Sequence, residues 1–135
     1  MKSDIRIVFY KAKKNTDKTS IITTGNVIGS CDGAFQVHRW IRENTDAPGF
    51  GYIHHLYKSE LEKLKQDCLD VLNNKDLAEK VLPIPSACRI FFGLSYDTDY
   101  FNTLEEMVRG LTYILETTDF EKNDVYCSER VGLKT

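Results

Sequence analysis

At 135 residues, 41% hydrophobic and 28% charged, the chain has the length and composition of one globular domain over residues 1–135, and it can bury a core without disulfide or metal staples. A formal net charge of −2 disfavours general nucleic-acid binding, which needs a basic face, and equally an acidic DNA mimic, which needs far more negative charge. No apolar run nears the roughly 20 residues that span a bilayer, and Asp4 and Arg6 stand where a secretion signal would place its apolar stretch, so no membrane partner and a cytoplasmic location are expected.

Residues 5–10 (Ile-Arg-Ile-Val-Phe-Tyr) are β-branched and aromatic and read as a strand. The lysine-rich residues 11–18 read as a solvated connection. Residues 19–24 form a second strand candidate, pairing with the first as a hairpin. Val27 and Ile28 extend a strand until Gly29 breaks it. A helix opens at Asp32 or Gly33 and runs to about Asn44. In it Ala34, Val37, His38 and Ile41 share one face by their i, i+3, i+4, i+7 spacing. Phe35 and Trp40 flank that face, and Arg39, Arg42 and Glu43 point outward. The breaker cluster at 47–51 is a loop. Residues 52–56 are a short strand in which His54 and His55 alternate faces, so one of them can point inward.

Ser59 and Glu62 fit a capping box for a helix whose apolar stripe is Leu61, Leu64, Cys68, Val71 and Leu72. Residues 77–82 read as a short helical turn, and Pro83 and Pro85 exclude regular helix after it. Residues 87–93, with Ile90, Phe91 and Phe92 apolar on both faces, read as a central strand, buried on both sides or forming a packed edge. Thr103 and Glu106 fit a second capping box. Leu104, Met107, Val108, Leu111, Ile114 and Leu115 form an uninterrupted helical stripe. Beyond Thr117 the chain is polar. Residues 124–127 read as an edge strand and the last several residues as loose. Together these elements predict an α+β fold, a small mixed or antiparallel sheet with about three helices packed mainly on one face.

Cys31, Cys68, Cys88 and Cys127 are far apart, with no Cys-x-x-Cys pair, so neither metal nor other cofactor is expected. Cys68 and Cys88 read as small buried apolar groups of a reduced compartment. A metal trio of His38, His54 and His55 is conceivable, but nothing in the spacing demands it. No dinucleotide-binding glycine motif, P-loop or nucleophile elbow occurs, which weighs against an enzyme. The two acids of Tyr96-Asp97-Thr98-Asp99-Tyr100 lack the glycine and glutamate of a calcium loop and suit the positive end of the following helix.

The helix Ala34-Phe35-Gln36-Val37-His38-Arg39-Trp40, the segment ending near Cys68, Leu82-Pro83, Phe91-Phe92-Gly93, Tyr96-Asp97 and Tyr100-Phe101 occur in an order that resembles a family of small phage- and prophage-encoded proteins of unassigned activity. That family usually carries Tyr-Trp-Arg-Lys before the helix alanine, where this chain has Ser30-Cys31-Asp32-Gly33, so a site built on those residues is altered here. The resemblance implies a bacterial host cytosol and a viral accessory gene. It transfers no catalytic role.

The expected function is a non-enzymatic accessory protein that binds a host protein or sequesters a small ligand. The expected binding residues are His38, Trp40, Phe92, Tyr96, Asp97 and Tyr100, brought together if the first helix packs on the aromatic turn. One alternative is a small enzyme using His38 with Asp97 or Asp99 as an acid–base pair. Another is a weak nucleic-acid binder using the lysines at 11, 13, 14 and 18 with Arg39 and Arg42. Association into a homo-oligomer through an exposed strand stays open.

Overall fold

A computed structural model describes residues 2–17, 20–21, 26–32, 35–46 and 53–134. Strands β1 (Lys2–Lys13) and β4 (Asn123–Lys134) pair antiparallel throughout, from Lys2 opposite Lys134 to Lys13 opposite Asn123. Strand β2 (Asn26–Asp32) pairs with β1, and β3 (Ile53–Leu56) pairs with β4, both antiparallel, giving the order β2-β1-β4-β3.

The helices are α1 (Phe35–Asn44), α2 (Lys58–Asn73), α3 (Ala78–Val81), α4 (Ser86–Phe92) and α5 (Thr98–Thr117), with a 3-10 turn at Lys75–Leu77. The fold is therefore α+β, with a four-stranded antiparallel sheet and five α-helices among the described residues.

Alternation along the strands separates two apolar clusters. Ile5, Ile7, Phe9, Cys31, Val125 and Cys127 join the helical side chains in the main core. Val8, Tyr10, Ala12, Ile21 and Tyr126 form a smaller cluster of their own. Helices α2 and α5 run along each other and contribute Leu61, Leu64, Cys68 and Val71 from one and Leu104, Met107, Leu111 and Ile114 from the other. Each such side chain gains roughly 1.5–3 kcal/mol from leaving water, which is why both stripes are legible in the sequence.

Several elements differ from the sequence expectation. Ser20 and Ile21 are helical rather than part of the expected strand, and β1 pairs with β2. Residues 19 and 22–24, the expected loop at 47–51 and Gly33 lie outside the described residues, and Asp32, the other expected helix opening, is the last residue of β2. Gly29 does not end β2. It sits opposite Phe9, and the register slips by one residue between Phe9 and Tyr10, a bulge that absorbs the irregularity. Strand β1 extends to Lys13, and the turn in the lysine-rich stretch falls at Lys14 and Asn15. The segment at 123–134 is neither loose nor an edge, because β1 and β3 both pair with it.

The expected central strand at 87–93 is helix α4 instead. Pro85 precedes its first turn with φ −55°, and the Cys88 and Arg89 amides both donate to the Pro85 carbonyl (2.9 and 3.2 Å). Gly93 stops it in the left-handed region at φ +64°. Ile90 and Phe91 are exposed rather than buried on two sides. Both expected capping boxes also move. Helix α2 starts at Lys58, and Glu60 Oε1 accepts from the Tyr57 amide (2.9 Å). Helix α5 starts at Thr98, where Asp97 Oδ1 accepts from the Tyr100 amide (3.1 Å). Thr103 lies inside that helix and its hydroxyl donates to the Asp99 carbonyl (3.0 Å).

Candidate functional site

Alternation sets Val125, Cys127 and Glu129 on one side of β4. That side faces the main core, so a carboxylate enters the interior: Glu129 is fully buried. An unpaired charge there would be costly. Helix α1 supplies an answer, because His38 Nδ1 bonds Glu129 Oε2. The imidazole is 14% exposed and stands at the solvent side of the pair. Glu129 Oε1 is buried and meets no hydrogen-bond donor among the described residues.

Two more ligand-type groups join this patch, Cys127 on the same strand and His54 on the adjacent one. His54 on β3 stands directly opposite Cys127 in the antiparallel register, and both are buried. One nitrogen of His54, the Cys127 sulfur and one oxygen of Glu129 all lie within 4.8 Å of one another. Burial, and then the neighbouring Glu129 carboxylate, pushes the Cys127 thiol well above its ordinary pKa, so the thiol is protonated at neutral pH. His55, one residue on, takes the opposite direction. It lies 3.4 Å from Asp124 Oδ1 and against the rings of Tyr57 and Tyr126. The trio of His38, His54 and His55 is therefore not formed, whereas two of those histidines flank a cluster that includes Glu129.

The residues expected to bind a ligand make these contacts within the fold. Trp40 Nε1 donates to Asp67 Oδ2 on α2 (2.7 Å), and Lys63 donates to the same oxygen (3.2 Å) with its ammonium 5.3 Å from the Trp40 ring centroid. The Tyr100 hydroxyl donates to the Leu82 carbonyl (2.7 Å), and burial raises its pKa. The Tyr96 hydroxyl accepts from the Ile84 amide (3.0 Å). Asp97 caps α5 and accepts from Ser95 Oγ (3.2 Å). The Phe92 side chain lies outside the described residues.

Helix α1 does meet the start of α5, where Gln36 Nε2 donates to the Tyr100 carbonyl (3.5 Å). His38, however, turns to β4 and Trp40 to α2. Neither Asp97 nor Asp99 partners His38. The carboxylate that bonds it is Glu129.

A second feature lies on the surface. Ile90 and Phe91 on α4 are 77% and 79% exposed. Beside them the Arg89 guanidinium sits 5.6 Å from the Tyr96 ring centroid, a cation–π contact that steers an exposed charge. Ser86, Arg89, Ile90, Gly93 and Leu94 line an open cleft along this helix.

Glu129 is hard to read in the sequence because it falls in a polar stretch, and the surface position of Ile90 and Phe91 is masked by an apolar run that imitates core. The signal for the first is the i, i+2 pairing of Cys127 with Glu129 after Val125. The signal for the second is Pro85 and Gly93 bracketing a helix-length segment. No protein-family model, curated protein or solved structure matches this chain. No helix among the described residues is long and apolar enough to cross a membrane.

Proposed function

We propose that the chain is a non-enzymatic accessory protein, of the phage type that its sequence resembles, and that it engages a host protein through α4. The observation that carries this reading is the pair Ile90 and Phe91, adjacent and more than three-quarters exposed. An apolar centre beside a charged rim is the anatomy of a protein interface. A handful of aromatic and arginine anchors can supply most of an interface's binding energy.

The shape favours a protein over a small ligand. Small molecules bind in concave pockets that enclose most of their surface, whereas these side chains project outward from a short helix. The partner therefore offers an apolar hollow for Phe91 and Ile90 with a carboxylate at its edge for Arg89. Nothing in this reading needs a reaction, and Trp40, Tyr96 and Tyr100 each make an internal hydrogen bond.

The test is capture from bacterial lysate, identification of the captured protein, and reconstitution with purified components. The wild-type chain is expected to bind that protein at micromolar concentration or tighter. Phe91→Asp is expected to weaken binding at least tenfold while the circular dichroism stays native. Arg89→Glu is expected to weaken it in a salt-dependent way. Equal binding by a folded Phe91→Asp chain would contradict the proposal. So would self-association through α4 or a co-purified small molecule as the sole occupant of this face.

A further inference from the structure

We infer that the core-facing side of β3 and β4 is a transition-metal site, in which His54 nitrogen, Cys127 sulfur and Glu129 oxygen bind one divalent ion of the zinc class. This inference rests on a different surface from α4, and either can fail without the other.

The donor set is the first argument. Thiolate, imidazole and carboxylate together suit zinc and its neighbours far better than calcium or magnesium, which take oxygen ligands. Geometry is the second. A tetrahedral zinc with bonds of about 2.0–2.3 Å sets its donors roughly 3.3–3.8 Å apart. The three donors here already lie within 4.8 Å of one another, so closing on an ion needs a movement on the order of one ångström. The sheet fixes the frame, with His54 facing Cys127 across the ladder and Glu129 two residues along the same strand.

Glu129 gives the third argument. Its Oε2 is anchored by His38, and its Oε1 is buried without a donor. A structural hydrogen bond with His38 explains the first oxygen and leaves the second unexplained, because buried acceptors are normally satisfied. An ion on Oε1 satisfies it, with His38 in the orienting role that partners of metal-bound carboxylates commonly play.

Charge balance is the fourth. The Cys127 thiol gives its proton to solvent as the sulfur–metal bond forms. The resulting thiolate and the Glu129 carboxylate then neutralise the two charges of the ion in an interior where net charge is costly. Three protein ligands leave a fourth position for water.

The test uses the full chain, reduced and stripped with a chelator, and titrated with zinc and with cobalt. One equivalent is expected to bind, with proton release. The cobalt form should show a thiolate-to-metal charge-transfer band, and X-ray absorption of the zinc form should give one sulfur among nitrogen and oxygen ligands. Cys127→Ala should abolish the charge-transfer band. His38→Ala should weaken binding about 10–100-fold, and His55→Ala should leave it unchanged. Failure to take up zinc stoichiometrically, a shell with no sulfur or with several, or cobalt binding unaltered by Cys127→Ala would each overturn the inference. The wild-type absorption spectrum decides the matter even if a variant misfolds.

Discussion

His38 on α1 and Glu129 on β4 are 91 positions apart in sequence and bonded in the fold, and that bond ties the first long helix to the centre of the sheet. Glu129 is fully buried and His38 largely so. Removing one member of such a pair leaves the other's polar group stranded.

His38→Ala is therefore expected to destabilise the chain by about 3–5 kcal/mol, the usual cost of breaking a buried pair from one side. Glu129→Gln should cost less, because the amide can still bond the imidazole. The double variant should cost less than the sum of the two single ones. Urea unfolding of the four proteins measures this, and strict additivity would show that the two groups do not interact.

The single tryptophan reports the α1–α2 contact. Trp40 is 3% exposed and its indole N–H ends on Asp67. Asp67→Ala removes the acceptor and should cost about 1–3 kcal/mol as a buried donor goes unmet. Emission from the indole should move toward the red in the variant.

The cysteines predict a stability loss at high pH. Burial, then Asp67 and then Cys31, push the Cys68 thiol up to about 12 from an ordinary value of 9.0. Below pH 9 both folded and unfolded thiols hold their protons, and the contribution of burial is fully present. Between about 9 and 12 the unfolded thiol ionises while the folded one does not. The unfolded state then binds fewer protons, and stability falls as pH rises. Cys127 and Tyr100, raised chiefly by burial, act in the same direction. Denaturation midpoints across this window should fall steadily. At pH 8, alkylation of the native chain should reach the half-buried Cys88 well before Cys68 and Cys127.

Gly93 is the stop signal of α4. Its φ of +64° is one that a side-chain-bearing residue adopts with strain, although nothing lies within 4 Å of where a Cβ would stand. Gly93→Ala should cost about 1–2 kcal/mol through the backbone alone. An unchanged stability would mean that the helix does not end there.

The contrast between α5 and α4 explains what the sequence could show. Leu104, Met107, Leu111 and Ile114 repeat at helical spacing and are all buried, so periodicity and packing agree. In α4 the run Ile90, Phe91 imitates a buried strand, because hydrophobicity alone cannot tell core from exposed surface. Strand β4 fails for a different reason. Its partner β1 lies more than a hundred residues away, and its inward Glu129 breaks the alternation that marks a strand. The same polar residue that hid the strand places the buried cluster of His38, His54, Cys127 and Glu129, so site and error share one cause. His54 was readable as one of two histidines on alternating faces, but which of them points inward depends on the register with β4.

The proposed function turns on whether α4 is covered by another protein in the cell. A photo-activated benzophenone residue at position 91, with a second chain labelled at the exposed Tyr113 on α5 as control, measures that contact directly. The account predicts one discrete cross-linked partner from position 91, absent from position 113 and lost when Ile90→Asp is added. A position-91 probe that captures nothing, or only what the control captures, would contradict it.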